Sequence, residues 1–239
     1  MIEPLLRKLR ARDDVSADEE ALLRGLISEE RSYPPDRTII REGEPLTRSA
    51  LLVDGFIGRY KDFRDGRRQI SAIHVPGDFL DLHGFTLKRL DHGLLSLSAC
   101  TLAYAPHERV RELTEREPHL TRLLWFSTNL DAAIHREWTV SLGRRSATSR
   151  TAHLLCELGA RLRVVGLADE SGYALPLTQT ELAECLGLTS IHVNRVLRQL
   201  REAGLVTVRA KRVDILDPAG LARVGEFDET YLFIEKRPR

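Results

Sequence analysis

Apolar positions along this chain change their spacing three times, and each change marks a boundary. Over residues 1–28 they recur at helical intervals. Leu5, Leu6 and Leu9 make one stripe and Ala21, Leu22, Leu26 and Ile27 another, which predicts one or two short helices. From Tyr33 the period falls to two and turn residues multiply. Candidate strands are 37–41, 49–53, 56–63, 67–75 and 94–105. Pro34-Pro35-Asp36, Glu42-Gly43-Glu44-Pro45, Asp54-Gly55, Asp65-Gly66 and Pro76-Gly77-Asp78 separate them, and Asp65-Gly66 is a hairpin signal. Many short strands at this spacing predict a small β-barrel or jelly roll.

After Pro106 the helical period returns, first over 107–116 and then from Glu117 to about 142, with Pro118 suited to a first turn. The apolar stripe of the longer segment holds Leu120, Leu123, Leu124, Leu130, Ile134 and Trp138, with Ser127 among them. About 25 residues make a helix nearly 40 Å long. That exceeds what one small domain needs to cover. The near-heptad spacing therefore predicts the seam of a parallel homodimer rather than a helix lying across its own barrel. Gly143-Arg144-Arg145-Ser146 reads as a hinge before another helix over 148–163.

Residues 175–208 carry the most specific pattern. Thr178 is a good N-cap, and Glu181 three residues later completes a capping box. Leu182, Ala183 and Leu186 follow at helical spacing, and Gly187 stands where a positive φ ends the helix. Leu188 plugs the core, and Thr189 caps a second helix to about 203 that buries Val193, Val196, Leu197 and Leu200. Its other face carries Ser190, Asn194, Arg195, Arg198 and Arg201. Gly204 ends it, and 205–208 has strand character. This is a helix-turn-helix followed by a β-wing.

Charge sharpens the reading. Overall the chain has 36 basic and 35 acidic side chains, a net charge of +1. Between Arg195 and Arg212 there are six basic residues and one acid, Glu202, so the local charge is +5. A concentrated positive patch suits phosphate contacts by a regulator better than a general nucleic-acid coat. Cys100, Cys156 and Cys185 lie far apart, which argues against disulfides or a Cys-rich zinc site. Residues 1–14 lack an apolar signal-peptide core, and no stretch reaches the roughly 20 apolar residues a membrane span needs. A soluble cytoplasmic protein is expected, with no membrane partner.

Barrel, long helix, hinge and winged helix-turn-helix, in that order, resemble the cyclic-AMP receptor protein (Crp/Fnr) family of bacterial transcription regulators. The resemblance covers roughly residues 20–217. It rests on Pro76-Gly77-Asp78-Phe79, on Thr148-x-Arg150-x-Ala152-x-Leu154-Leu155, and above all on 178–205 with Val193-Asn194-Arg195 in register. It implies an α+β chain: a cyclic-nucleotide-binding-like barrel over 1–116, a dimerisation helix over 117–143 and a winged helix-turn-helix over 144–239. It further implies a homodimer in which an effector reorients the DNA-binding parts, with RNA polymerase as a further partner.

Carried over by position, the family's base-reading residues fall on Ser190, Ile191, Asn194 and Arg195. Arg195 is the first choice for a guanine contact. Where the family commonly has glutamate this chain has Ile191, which can pack on a thymine methyl but cannot accept from cytosine. Thr178, Gln179, Ser190, His192 and Arg198 are candidates for phosphate contacts.

The same resemblance argues against cyclic AMP. Leu82 stands where the ribose-binding glutamate is expected, and Leu90-Asp91 where the phosphate-binding Arg-Ser pair is expected. Iron–sulfur is not expected, because residues 1–99 contain no cysteine. Haem could be ligated by His74, His83, His92 or Cys100, each of which reads better as an ordinary loop or core residue. Asp81, His83, Lys88, Arg89 and His92 form a candidate pocket for a small anionic or hydrogen-bonding effector. No metal site is expected. An enzyme is not expected either, since neither a His-x-His spacing nor a Ser/His/Asp or Cys/His set is supported. The alternative to a DNA-binding regulator is a small-molecule receptor acting through protein contacts, against which the exposed arginines argue. The apolar Phe227, Tyr231, Leu232 and Phe233 are expected to hold the C-terminal tail against a domain.

Overall fold

The structure, a computed structural model, describes residues 2–237. Helices α1 (Glu3–Arg12) and α2 (Ala17–Gly25) come first. A Ser16–Glu19 capping box starts α2 at Ala17 and so sets its rotation. Leu23 consequently faces the core, while Leu22 of the expected stripe is 42% exposed and Ala21 is also exposed. Seven strands follow: β1 (Glu29–Tyr33), β2 (Thr38–Ile40), β3 (Arg48–Asp54), β4 (Ile57–Asp62), β5 (Arg68–His74), β6 (Gly93–Ser96) and β7 (Cys100–Pro106). A short helix α3 (Gly84–Leu87) lies between β5 and β6.

Two antiparallel sheets, in orders β1-β7-β3 and β2-β6-β4-β5, make the expected jelly roll. Ile40, Leu52, Ile57, Leu94 and Leu102 from both sheets meet between them. The strand expected over 94–105 is in fact two strands in different sheets. Ser96 Oγ accepts from Arg37 N (2.8 Å) and donates to Pro34 O (2.7 Å), and Ser98 Oγ accepts from Phe56 N (2.9 Å). These hydroxyls hold the chain in a turn where the apolar run suggested continuity. β1, with the polar sequence EERSY, has no alternation to reveal it, yet all five residues pair with β7.

Helices α4 (His107–Arg116) and α5 (Pro118–Arg144) follow the barrel. The α5 stripe read as a seam between two copies is covered by the chain itself. Leu120, Leu123 and Leu124 pack with Leu5, Leu6 and Leu9 of α1 and with Val110 and Leu113 of α4. Leu130, Ile134 and Trp138 belong to a second core with Leu154, Leu155 and Leu158. α5 is long because it serves two cores in succession. Its uncovered face carries Trp125, Asn129, Ala132, Arg136, Thr139 and Val140.

Helices α6 (Ala147–Val164), α7 (Gln179–Leu186), α8 (Ser190–Glu202) and α9 (Pro218–Gly225) follow, with a short 3-10 turn at Glu229–Leu232. Strands β8 (Ala168–Asp169), β9 (Gly172–Ala174), β10 (Val206–Arg209) and β11 (Arg212–Ile215) form a sheet in order β10-β11-β9-β8. At Gly172 an added Cβ would lie 1.9 Å from Val213 O, so only glycine lets β9 approach β11. The tail packs back as expected. Tyr231 stacks on His153 at 5.9 Å, and Phe233 meets Phe126 of α5 edge-on at 6.5 Å. Among the described residues no helix is long and apolar enough to cross a membrane.

A buried ionic junction joins the two halves. Asp78, in the turn after β5, accepts from Arg161 of α6 (2.8 Å) and pairs with Lys8 of α1. Arg161 also donates to Ile73 O (2.8 Å) and to Glu157 (3.0 Å). Glu157, fully buried, takes further hydrogen bonds from Trp138 Nε1 (3.1 Å) and Tyr231 OH (2.9 Å). Burial alone would raise the Asp78 carboxyl, but Lys8 and Arg161 hold it well below the usual range.

Candidate nucleic-acid interface

α7 begins at a reciprocal capping box. Thr178 N donates to Glu181 Oε2 (2.6 Å) and Glu181 N to Thr178 Oγ1 (3.1 Å). Gly187, at φ 59°, closes it in the left-handed conformation that glycine adopts without strain. Thr189 then caps α8 by accepting from His192 N (3.3 Å). Leu182, Ala183 and Leu186 are buried on one helix, and Val193, Val196 and Leu200 on the other. Leu197 is half-buried beside them. These apolar residues fix α8 against α6 and α7, while α7 also rests on β5 of the barrel, and they leave the opposite face of α8 uncovered.

That face holds most of the expected readers. Ile191 is 83% exposed, and Asn194, Arg195 and Arg198 are exposed beside it. No described residue hydrogen-bonds or ion-pairs with the side chain of Arg195, Arg198 or Arg201. Ser190 and His192 are half-buried at the start of the helix, and Thr178 and Gln179 are exposed at the start of α7. Asn194 Nδ2 donates to Gln179 Oε1 at 2.6 Å, so the two helices share one polar surface. β10 and β11 form the wing. Ala210 (φ 48°) and Lys211 (φ 60°) make a two-residue turn that presents Arg209, Lys211 and Arg212. An exposed helix with unpaired guanidinium groups and a basic hairpin alongside can enter a major groove while neutralising phosphates.

Residues 149–224 match the Crp-like helix-turn-helix domain, and residues 30–117 match the cyclic nucleotide-binding domain. The transcriptional activator protein FnrL of Cereibacter sphaeroides is 32% identical over 188 residues, covering 76% of this chain and 74% of the relative. The nitrogen fixation regulation protein FixK of Bradyrhizobium diazoefficiens is 31% identical over 193 residues, or 78% of each chain. The solved structure of FixK2 from Bradyrhizobium japonicum superimposes with a TM-score of 0.76 at 28% identity, covering 83% of this chain and 98% of that one.

The chain belongs to the Crp/Fnr family of transcription regulators. It is a sequence-specific DNA-binding regulator of that type, and α7–α8 is its helix-turn-helix.

Inside the Crp/Fnr barrel, the expected effector residues do not all come together. Asp81 is fully buried, and its Oδ1 accepts from Ala50 N at 2.7 Å. Burial pushes its carboxyl up to about 7. His83 and His92 lie ring to ring at 5.5 Å, and His92 Nδ1 meets Asp91 at 2.9 Å. Burial, then the positive charge of Arg59, lowers the His92 ring to about 4. Lys88 and Arg89 instead point outward and are exposed. Lys88 bonds to Phe85 O (2.5 Å), with a left-handed backbone (φ 67°) that turns it away from the barrel.

The cation in this interior is one that the sequence did not single out. Arg59 of β4 is buried and donates to Asp131 of α5 at 2.9 Å. An arginine within the strand Ile57–Asp62, whose first four residues are all buried, was the available signal. Buried Arg59 Nε, His74 Nε2, Asp81 Oδ2 and His92 Nε2 have no hydrogen-bond partner. His74, His83, Ser127, Thr128 and Asp131 line a cavity of about 20 Å3, room for roughly one water. Among the described residues no group of three or more His, Cys, Asp or Glu is arranged to hold a metal ion. Burial pushes the thiols of Cys100 and Cys156 up to about 11 and 12, and that of Cys185 well above its ordinary value.

Proposed function

We propose that this regulator binds a near-palindromic operator as a homodimer, α8 of each copy lying in a major groove about 34 Å from its twin. Ile191, Asn194 and Arg195, with Ser190 at the helix start, read base edges. Thr178, Gln179, His192 and Arg198 fix register on phosphates, a role Ser190 shares. Exposure carries this reading: Arg195 and Arg198 have no partner among the described residues, and Ile191 presents its methyls to solvent. A solvated apolar side chain one turn before Arg195 suits a thymine methyl.

The uncovered face of α5 is the dimer seam in this reading. Trp125, 67% exposed, and Asn129, Ala132, Arg136 and Thr139 recur on it at intervals of three and four. Residues 1–116 act as the sensor, 117–143 as the dimer helix and 144–239 as the DNA-binding unit, in the cytoplasm and with RNA polymerase as partner. Asp81, His83 and His92, gathered around Arg59, make the effector site, and the effector is other than cyclic AMP. Leu90 is a buried core residue where a phosphate would need a cation, and Lys88 and Arg89 are turned away.

Selection of bound DNA from a random pool, with wild type and Arg195→Ala, tests the reading. The wild type should yield an inverted repeat. The variant should lose about 1–3 kcal/mol at that site and relax one base position per half. Full affinity and unchanged preference in the variant would reject α8 as the reader.

A further inference from the structure

The hydrogen bond between the two helices of the DNA-binding unit has no structural need behind it. Gln179 and Asn194 are both exposed and lie 15 residues apart on separate helices. Each contributes a carboxamide, with one oxygen acceptor and two N–H donors. Asn194 Nδ2 donates to Gln179 Oε1 at 2.6 Å. That leaves Asn194 with its Oδ1 and one N–H.

Those two groups are the ones adenine requires. Its N6 amine donates to a side-chain oxygen, and its N7 accepts from the neighbouring N–H. The N–H of a carboxamide that lies on the oxygen's side serves this bidentate pair, and the other points away from the base. The adenine pair therefore requires Gln179 Oε1 to accept the outward N–H of Asn194, and that bond then fixes which end of the amide is oxygen. It also holds the amide plane before DNA arrives, which lowers the ordering cost on binding. The capping box at Thr178 anchors Gln179 itself, the first residue of α7. The amide N–H groups of Gln179 remain available to a phosphate oxygen.

We propose that Gln179 is a positioning residue for base readout: through its bond to Asn194 it aims that carboxamide at adenine and links backbone register to sequence choice. The inference rests on the reading that Asn194 faces base edges. Gln179 is then more than a phosphate contact, because its loss changes which sequence is chosen and not only how tightly DNA is held.

The test compares full-length wild type, Asn194→Ala, Gln179→Ala and Gln179→Glu by random-pool selection and by titration of selected and unrelated duplexes. Wild type should prefer adenine at one symmetric position, and Asn194→Ala should lose that preference. Gln179→Ala should reduce the same preference about tenfold, on top of the uniform weakening of every duplex that loss of its phosphate contact brings. Gln179→Glu keeps an oxygen to accept from Asn194, so adenine preference should survive while every duplex binds more weakly against the added negative charge. Uniform weakening by Gln179→Ala with unchanged base preference would overturn the inference and leave Asn194 as a reader. Unchanged preference in Asn194→Ala would instead overturn the reading beneath it, and the inference with it.

Discussion

Arg195 and Arg161 are both helical arginines in the C-terminal half, and their surroundings differ in every respect. Arg195 stands exposed on α8 with no described partner. Arg161 has a side chain 9% exposed, held between Asp78 and Glu157 and bonded to the Ile73 carbonyl. One charge is available to an incoming polyanion. The other is committed to joining barrel, α1 and α6. The basic residues of this chain thus divide by neighbourhood: the exposed set on α8 and the wing is open to DNA, and the buried Arg161 is not.

Mutating each region should give opposite signatures. Arg161→Ala leaves Asp78 and Glu157 buried with less compensation, and should destabilise the fold by about 3–5 kcal/mol, read from the urea midpoint. A loss below about 1 kcal/mol would remove the distinction. Acid should act on the buried side next. The His92 ring, lowered to about 4 from an ordinary 6.5, takes up a proton more readily unfolded than folded. Its contribution is therefore complete above pH 6.5 and declines as pH falls toward 4. By pH 5 the loss should be about 2 kcal/mol, and His92→Gln should flatten that limb of the urea-midpoint profile. His74 and His83 shift the same way. Asp81, raised to about 7, works in the opposite sense, since its folded-state proton is lost as pH rises.

On the exposed side, Arg195→Ala should change stability by no more than about 0.5 kcal/mol while operator affinity falls. A large stability loss there would mean that Arg195 is structural after all. The smallest effect belongs to the wing turn. Ala210 holds φ 48° without the freedom of glycine. Ala210→Gly should raise thermal stability by up to about 1 kcal/mol, with little change in binding.

The same contrast explains what could be read in the sequence. The helix-turn-helix declares itself through signals three to four residues apart: Thr178 with Glu181, Thr189 with the N–H of His192, and Gly187 at the turn. The junction has no such signature: Asp78 lies in the turn at residues 76–79, but nothing there points to Arg161, 83 residues away. The α5 stripe correctly marks a buried face, but an amphipathic pattern does not say what buries it. Here that is the chain's own α1, α4 and α6. The edge strand β1 was hidden by its polar composition, and the β6–β7 boundary by an apolar run.

α5 carries one further consequence, which concerns angle. Each helical residue turns the axis by about 100°. One residue inserted between Trp125 and Leu130 would rotate Leu130, Ile134 and Trp138 out of the interior while Leu120, Leu123 and Leu124 kept their places. Seven would bring them back to within about 20° but push the halves roughly 10 Å apart. Rotation and separation of the two cores are thus gauged together by a single uninterrupted rod.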